Sequence, residues 1–297
     1  MANRDKQILT GLVIGLAVIY ASTYAHHHHF HSGLPIPPLP KFRFKWNAVF
    51  LPIFTLLGVA GLVAGYNEKT KTKSWLNVTL PLSAILVGFV QCVLNVVCCI
   101  EYPWKHKYGS FELLGKQSIP WLAIWFGAGL LLHINYTLLE KKAKMQHIWQ
   151  FVVIVIVANI ILQEIIIKLG IYSFYGSQPS VVFWKLPIWN PIVDTVGIYF
   201  SAALAYKFKN RLSSPLGSLF ALLLTPMAIG ATYGFVAIPA IIAINSDFPW
   251  FITETLGAVT IIASGFMFVG VNELLLDRDA LDVDPNTVFG ERAPLLG

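Results

Sequence analysis

The chain has 297 residues, 56% of them hydrophobic and only 12% charged, with a mean hydropathy of +0.66 and a formal net charge of +6. Such values exclude a soluble globular domain and define a polytopic membrane protein. The basic balance does not point to nucleic acid, because its Lys and Arg clusters flank apolar runs and suit anionic lipid head groups.

Crossing a bilayer takes about 20 apolar residues. Eight runs meet that length: Ile8–Tyr24, Trp46–Tyr66, Trp75–Ile100, Ile119–Leu139, Ile148–Leu169, Leu186–Tyr206, Leu216–Ile244 and Trp250–Leu274. Backbone in lipid must satisfy its own hydrogen bonds. The expected fold is therefore all-α, a transmembrane bundle of about eight helices over residues 1–276, followed by a short acidic disordered tail over 277–297.

The first run ends in His26-His27-His28-His29 with no small-residue cleavage pattern, so it reads as a retained helix. The loop from His26 to Lys45 is rich in Pro and His. Adjacent histidines lack the geometry of a closed metal shell, so this loop reads as low-complexity and no metal or other cofactor is expected.

All three cysteines, Cys92, Cys98 and Cys99, fall in the third run and read as reduced, buried filler. The sequons at Asn77 and Asn135 lie in or beside the membrane and are expected to stay unmodified. Pro226, Pro239 and the Tyr233-Gly234 pair make the seventh run a kinked or broken helix, which leaves seven or nine spans as alternatives. With eight, thirteen basic residues lie on the side of both termini and eight on the other, so the termini are expected to be cytosolic.

A repeat runs beneath the hydropathy. Tyr108-Gly109-Ser110 precedes Pro120-Trp121 by the interval at which Tyr175-Gly176-Ser177 precedes Pro187-Ile188-Trp189. The sixth run reads Asp194-Thr195-Val196-Gly197 and the eighth Glu254-Thr255-Leu256-Gly257, an acid-Thr-aliphatic-Gly element in both. These matches suit repeated two-helix units, although stretches this short arise as readily by chance. The tail's Glu291-Arg292-Ala293-Pro294-Leu295-Leu296 resembles an acidic dileucine signal and points to a eukaryotic endomembrane, the ER or a vacuole or lysosome.

Charge within a membrane is costly, so each acid there is a functional candidate. Glu101, Glu164, Asp194 and Glu254 all fall in the half away from the termini. Glu101 also reads as interfacial, and Glu164 has Lys168 one turn on. Asp194 and Glu254 have no basic neighbour at helical spacing. A carboxyl without water or a cation is a proton donor. Helical spacing puts Gln91 with Asn95, Asn159 with Gln163, and Asn190 with Asp194, each pair on one face; Gln91 and Asn159 read as interhelical glue. Tyr172, Phe174, Tyr175, Trp184 and Trp189 crowd the five-six connection, with Trp104 and Tyr108 in the three-four connection. They match an ordinary interfacial belt, but aromatic faces over an acid also suit cationic intermediates. Gln178 and Pro179 would shape that turn. His133 reads as a packed, hydrogen-bonded histidine.

No phosphate-binding loop, desaturase-type histidine box or Ser-His-Asp set is evident, and no Asp-rich diphosphate motif lies in the membrane part. In this layout of intramembrane acids, aromatic loops and absent metal motif, the chain resembles the fungal integral-membrane terpene cyclases of meroterpenoid biosynthesis. The resemblance implies a metal-independent isomerase of secondary metabolism acting on a prenylated lipophilic substrate drawn from the bilayer. Asp194 or Glu254 would protonate an epoxide or alkene. Tyr175, Trp184 and Trp189 would stabilise the cation, Glu164 or Asn190 would orient the donor, and Glu101, Asn95 and Gln178 would complete the site. The same acids and repeats equally suit a proton-coupled solute transporter, and the layout also suits a non-catalytic lipid-binding protein.

Overall fold

The computed structural model describes residues 44–102, 112–113, 117–118, 122–182 and 186–279, with backbone alone for 44–48, 112–113 and 117–118. The first apolar run, the histidine loop, Trp104, the Tyr108 copy of the repeat, Trp184 and the dileucine end of the tail lie outside them.

Each remaining run folds as helix. Helix α1 is Phe44–Thr72; the third run becomes α2 (Leu76–Ser83), a 3-10 turn (Ala84–Leu86) and α3 (Val87–Val97). Then come α4 (Leu122–Glu140), α5 (Met145–Lys168), α6 (Trp189–Lys207), a single turn α7 (Lys209–Leu212), α8 (Pro215–Phe235), α9 (Ile238–Ile244) and α10 (Trp250–Gly270), which passes into a π turn, Val271–Leu275. The result is an all-α bundle in which six described spans are long and apolar enough to cross a membrane.

The seventh described span, α6, falls short of that apolar level, and its position explains why. It packs on α4, α5, α8 and α10, so little of it meets lipid, and a shielded helix can carry Asn190, Asp194, Thr195 and Ser201. Its 19 residues still span about 28 Å at 1.5 Å each.

Prolines set the breaks. Pro81 has no N–H to give the carbonyl of Asn77, and the helix tightens into the 3-10 turn just beyond it. Gly65 of α1 lies against that freed carbonyl, so close that a Cβ there would clash with the oxygen. Pro239 ends α8 at Phe235 and restarts the chain as α9, the broken seventh run. The orphaned first-turn N–H of Ala240 then donates to Thr260 Oγ1 of α10 at 3.0 Å.

The basic clusters converge at one end of the bundle. Lys207 bonds Asp277 at 2.9 Å, Lys209 lies 3.7 Å from Glu140, and Ser74 donates to Ser213. Arg278 donates to the carbonyl of Ala143. At the opposite end, β1 (Ile100–Glu101) follows α3. Two more short strands, β2 (Glu112–Leu113) and β3 (Gln117–Ser118), form a hairpin before α4. Before α6 come β4 (Ser173–Phe174) and the hairpin β5 (Val181–Val182) with β6 (Leu186–Pro187). Strands β1 and β4 pair antiparallel, which seals the two long connections into one cap. Described hairpins thus precede both α4, first described at Leu122, and α6, which starts at Trp189 two residues after Pro187.

Candidate functional site

Between α1, α3, α4, α5, α6 and the β1–β4 cap lies a cavity of about 290 Å³. Phe54, Trp125, Leu131, Leu162 and Ile198 are among its mostly apolar walls, and Tyr102, Tyr172 and Phe174 close it from the cap. Its polar side is Gln91, Asn159, Gln163, Asn190, Asp194 and Thr195. A small, largely apolar pocket with a few converging polar groups is the usual form of a small-molecule site.

Asp194 stands about one and a half turns into α6, and the exposure it retains opens into this cavity. Tyr233 of α8 donates to Asp194 Oδ1 at 2.8 Å and accepts from Asn190 Nδ2 at 2.7 Å. Gln163 of α5 also hydrogen-bonds the Asp194 side chain. Its Oε1 accepts from Tyr172 at 2.9 Å, and its Nε2 lies 3.2 Å from Asn159 Oδ1. Burial holds the Tyr172 phenol well above its ordinary pKa, so it stays a neutral donor. Asn159 donates at 3.4 Å to the carbonyl of Pro191, which also accepts from Thr195. The carboxyl is thus fixed by side chains from two other helices, while among the described residues no Lys, Arg or His lines the cavity.

The remaining candidates divide by position. Asn190 meets Asp194 through Tyr233, and Asn95 stands behind the cavity wall, accepting from Gln91 at 2.7 Å. Glu254 is elsewhere: its Oε2 accepts from the backbone N–H of Ser180 at 2.9 Å and pins the loop before β5 to α10. That loop can lie so close because Gly257, one turn on, has no Cβ to meet Pro179 and Ser180. Glu164 is buried in α5 and Glu101 in β1, neither lining the cavity. Tyr175 donates its N–H to Cys99 O, and Gln178 Nε2 bonds the carbonyls of Cys98 and Tyr175, so both stitch the cap. Trp189 is fully buried and stands edge-on to Tyr233, 6.3 Å between ring centroids.

Sequence reasoning missed Tyr233 as a functional residue and did not single out Trp125, Phe54 or Tyr102. The signal at Tyr233 was its place beside Gly234 in a proline-broken span, which marked a kink and concealed a hydrogen-bond donor. Cys92, Cys98 and Cys99 are buried thiols outside any disulfide, as read. No three His, Cys, Asp or Glu among the described residues gather as a metal site would require.

Comparison with known proteins adds no family: no protein-family model, no curated protein and no solved structure matches this chain.

Proposed function

We propose that the protein is a membrane-embedded cyclase or isomerase of the terpene-cyclase type, acting on a prenylated lipophilic substrate, with Asp194 as its proton donor. The observation that carries this reading is the placement of Asp194 in an apolar cavity, held from behind by Tyr233 and Gln163. Among the described residues the lining offers no cation, which favours a neutral head group such as an epoxide or alkene over a diphosphate.

The acid form of Asp194 gives its proton to the epoxide oxygen or terminal alkene carbon. In the epoxide case a carbon–oxygen bond breaks as the oxygen becomes a hydroxyl. A neighbouring alkene then supplies the electron pair for the new carbon–carbon bond. Loss of a proton from the final cation to the Asp194 carboxylate restores the acid, so the product is an isomer of the substrate. Phe54, Trp125, Tyr102 and Tyr172 line the cavity, and an aromatic face turned to a cation stabilises it by about 0.5–2 kcal/mol. Glu254 serves the loop instead. The membrane is taken to be an endomembrane, with the lysine end cytosolic.

The test is to incubate membranes containing the protein with prenylated phenols and their terminal epoxides in deuterated water and follow products by mass spectrometry. A cyclised isomer of unchanged formula that vanishes in Asp194→Asn supports the assignment, and carbon-bound deuterium identifies alkene protonation. Full turnover by Asp194→Asn removes the assignment. No conversion, with proton flux across sealed vesicles, would replace it by the transporter reading.

A further inference from the structure

Helices α4 and α5 are joined by only four residues, 141–144, yet they do not pack along their length. Both rest on α6 instead, meeting near the lysine end and diverging toward the cap. Helix α1 packs on α4 and likewise leaves α5 alone. The cavity fills the resulting wedge, because α1 and α4 supply one wall, α5 the opposite wall and α6 the floor with Asp194.

Two residues lining that cavity are also exposed on the outer surface, Leu57 on α1, 39% accessible, and Ala158 on α5. They stand on opposite walls, and among the described residues no element packs across the gap between them. Beside Ala158 the outer face of α5 is Val153, Ile154, Val157 and Ile161, all exposed and all apolar, a surface suited to lipid tails. Exposed apolar residues therefore adjoin the cavity, and its polar groups are Gln91 of α3, Asn159 and Gln163 of α5, and Asn190, Asp194 and Thr195 of α6. Access from the cap end is closed by the β1–β4 pair, by the bond from Tyr175 to Cys99 and by Gln178 on Cys98.

We infer that the site opens laterally into the hydrocarbon core through a portal between the α1–α4 wall and α5, with Leu57 of α1 and Ala158 of α5 at its lips, and that a lipid-dissolved ligand enters tail-outward with its neutral polar group facing Asp194. This deepens the proposed function, since it rests on the same cavity being the binding site. The small side chain of Ala158 sets the width of the portal. An indole at that position would fill the gap, while the outer ends of the wedge stay unchanged.

The test needs no turnover. The full-length protein in liposomes is irradiated with a simple alkyl diazirine dissolved in the bilayer, and the labelled peptides are mapped by mass spectrometry. The α6 segment 190–198 is shielded from bulk lipid, whereas Phe251, Ile262 and Phe266 of α10 are exposed and serve as the internal standard for insertion and dose. The expected result is label on 190–198 in the parent protein, reduced at least tenfold by Ala158→Trp and to a smaller degree by Ala158→Leu, with α10 labelled equally throughout. An α6 segment that stays unlabelled while α10 is labelled overturns the portal. Labelling of α6 that is indifferent to both Ala158 substitutions overturns it as well and places access elsewhere. An inactive protein with the expected labelling would refute the cyclase and keep the portal; an active cyclase with α6 unlabelled would do the reverse.

Discussion

Tyr233 holds both ends of one short chain: its oxygen accepts from Asn190 and its proton goes to Asp194 Oδ1. Tyr233→Phe keeps the ring against Trp189 and removes only the hydroxyl, leaving Asp194 oriented by Gln163 alone. Turnover should fall about tenfold or more, some 1.4 kcal/mol of barrier, and the melting temperature should fall as well, because the buried Asn190 Nδ2 loses its acceptor. Asp194→Asn keeps the carbonyl that accepts from Tyr233 but carries no transferable proton, so its loss should be about 100-fold or more. Parallel rates and thermal melts of the two variants check both expectations. At this scale the sequence was readable where a side chain is costly in lipid: Asp194, Asn190, Gln163 and Asn159 all stood out by depth and spacing. It was unreadable at Tyr233, because an aromatic hydroxyl suits an interfacial belt equally well and its partner sits on a helix whose rotation the sequence does not specify. Glu254 shows the same limit from the other side, since an acid beside no base in sequence proves to have a backbone N–H from a distant loop.

At the level of the elements, the weak points are where proline frees a backbone group and a neighbouring helix satisfies or shields it. Thr260→Val conserves shape but removes the acceptor of the Ala240 N–H, a buried donor with no intrahelical partner. It should destabilise the protein by about 1–3 kcal/mol, the cost of a buried unsatisfied group, and reversible unfolding in mixed micelles would read that loss. Gly65→Ala sets a methyl group against the Asn77 carbonyl, where backbone rather than a flexible side chain must yield. Separation of α1 from α2, read as a lower melting temperature, is expected; Gly265→Ala, with open space around it, supplies the control. The spans themselves were legible from hydropathy to within a few residues, and Pro239 marked the break. The 3-10 turn after Pro81 and the β1–β4 seal were not legible, because both depend on contacts between segments far apart in sequence.

On the scale of the whole molecule, the asymmetry between the two ends decides orientation. Lys69, Lys71 and Lys73, then Lys141, Lys142 and Lys144, then Lys207, Lys209 and Arg211 lie in the last turns of α1 and α6, in α7 and in the short connections beside them, all at one end. Some are held rather than free: Lys69 lies 4.0 Å above the ring of Trp75, and Lys207 and Lys209 face Asp277 and Glu140. Such pairing does not cancel their effect on topology, since acidic residues contribute little to the positive-inside bias. The cap end, by contrast, is closed by backbone pairing, and Glu254 fastens one of its loops. The lysine end should therefore face the cytosol. In sealed microsomes whose outer face is cytosolic, a thiol introduced as Lys141→Cys should react with a membrane-impermeant maleimide directly, whereas Ser246→Cys, in the connection between α9 and α10, should react only after permeabilisation. The native thiols are buried and contribute little background. Reaction of Ser246→Cys in intact vesicles would invert the molecule, and Asp194, which sits toward the cap, would then lie nearer the cytosol than the lumen.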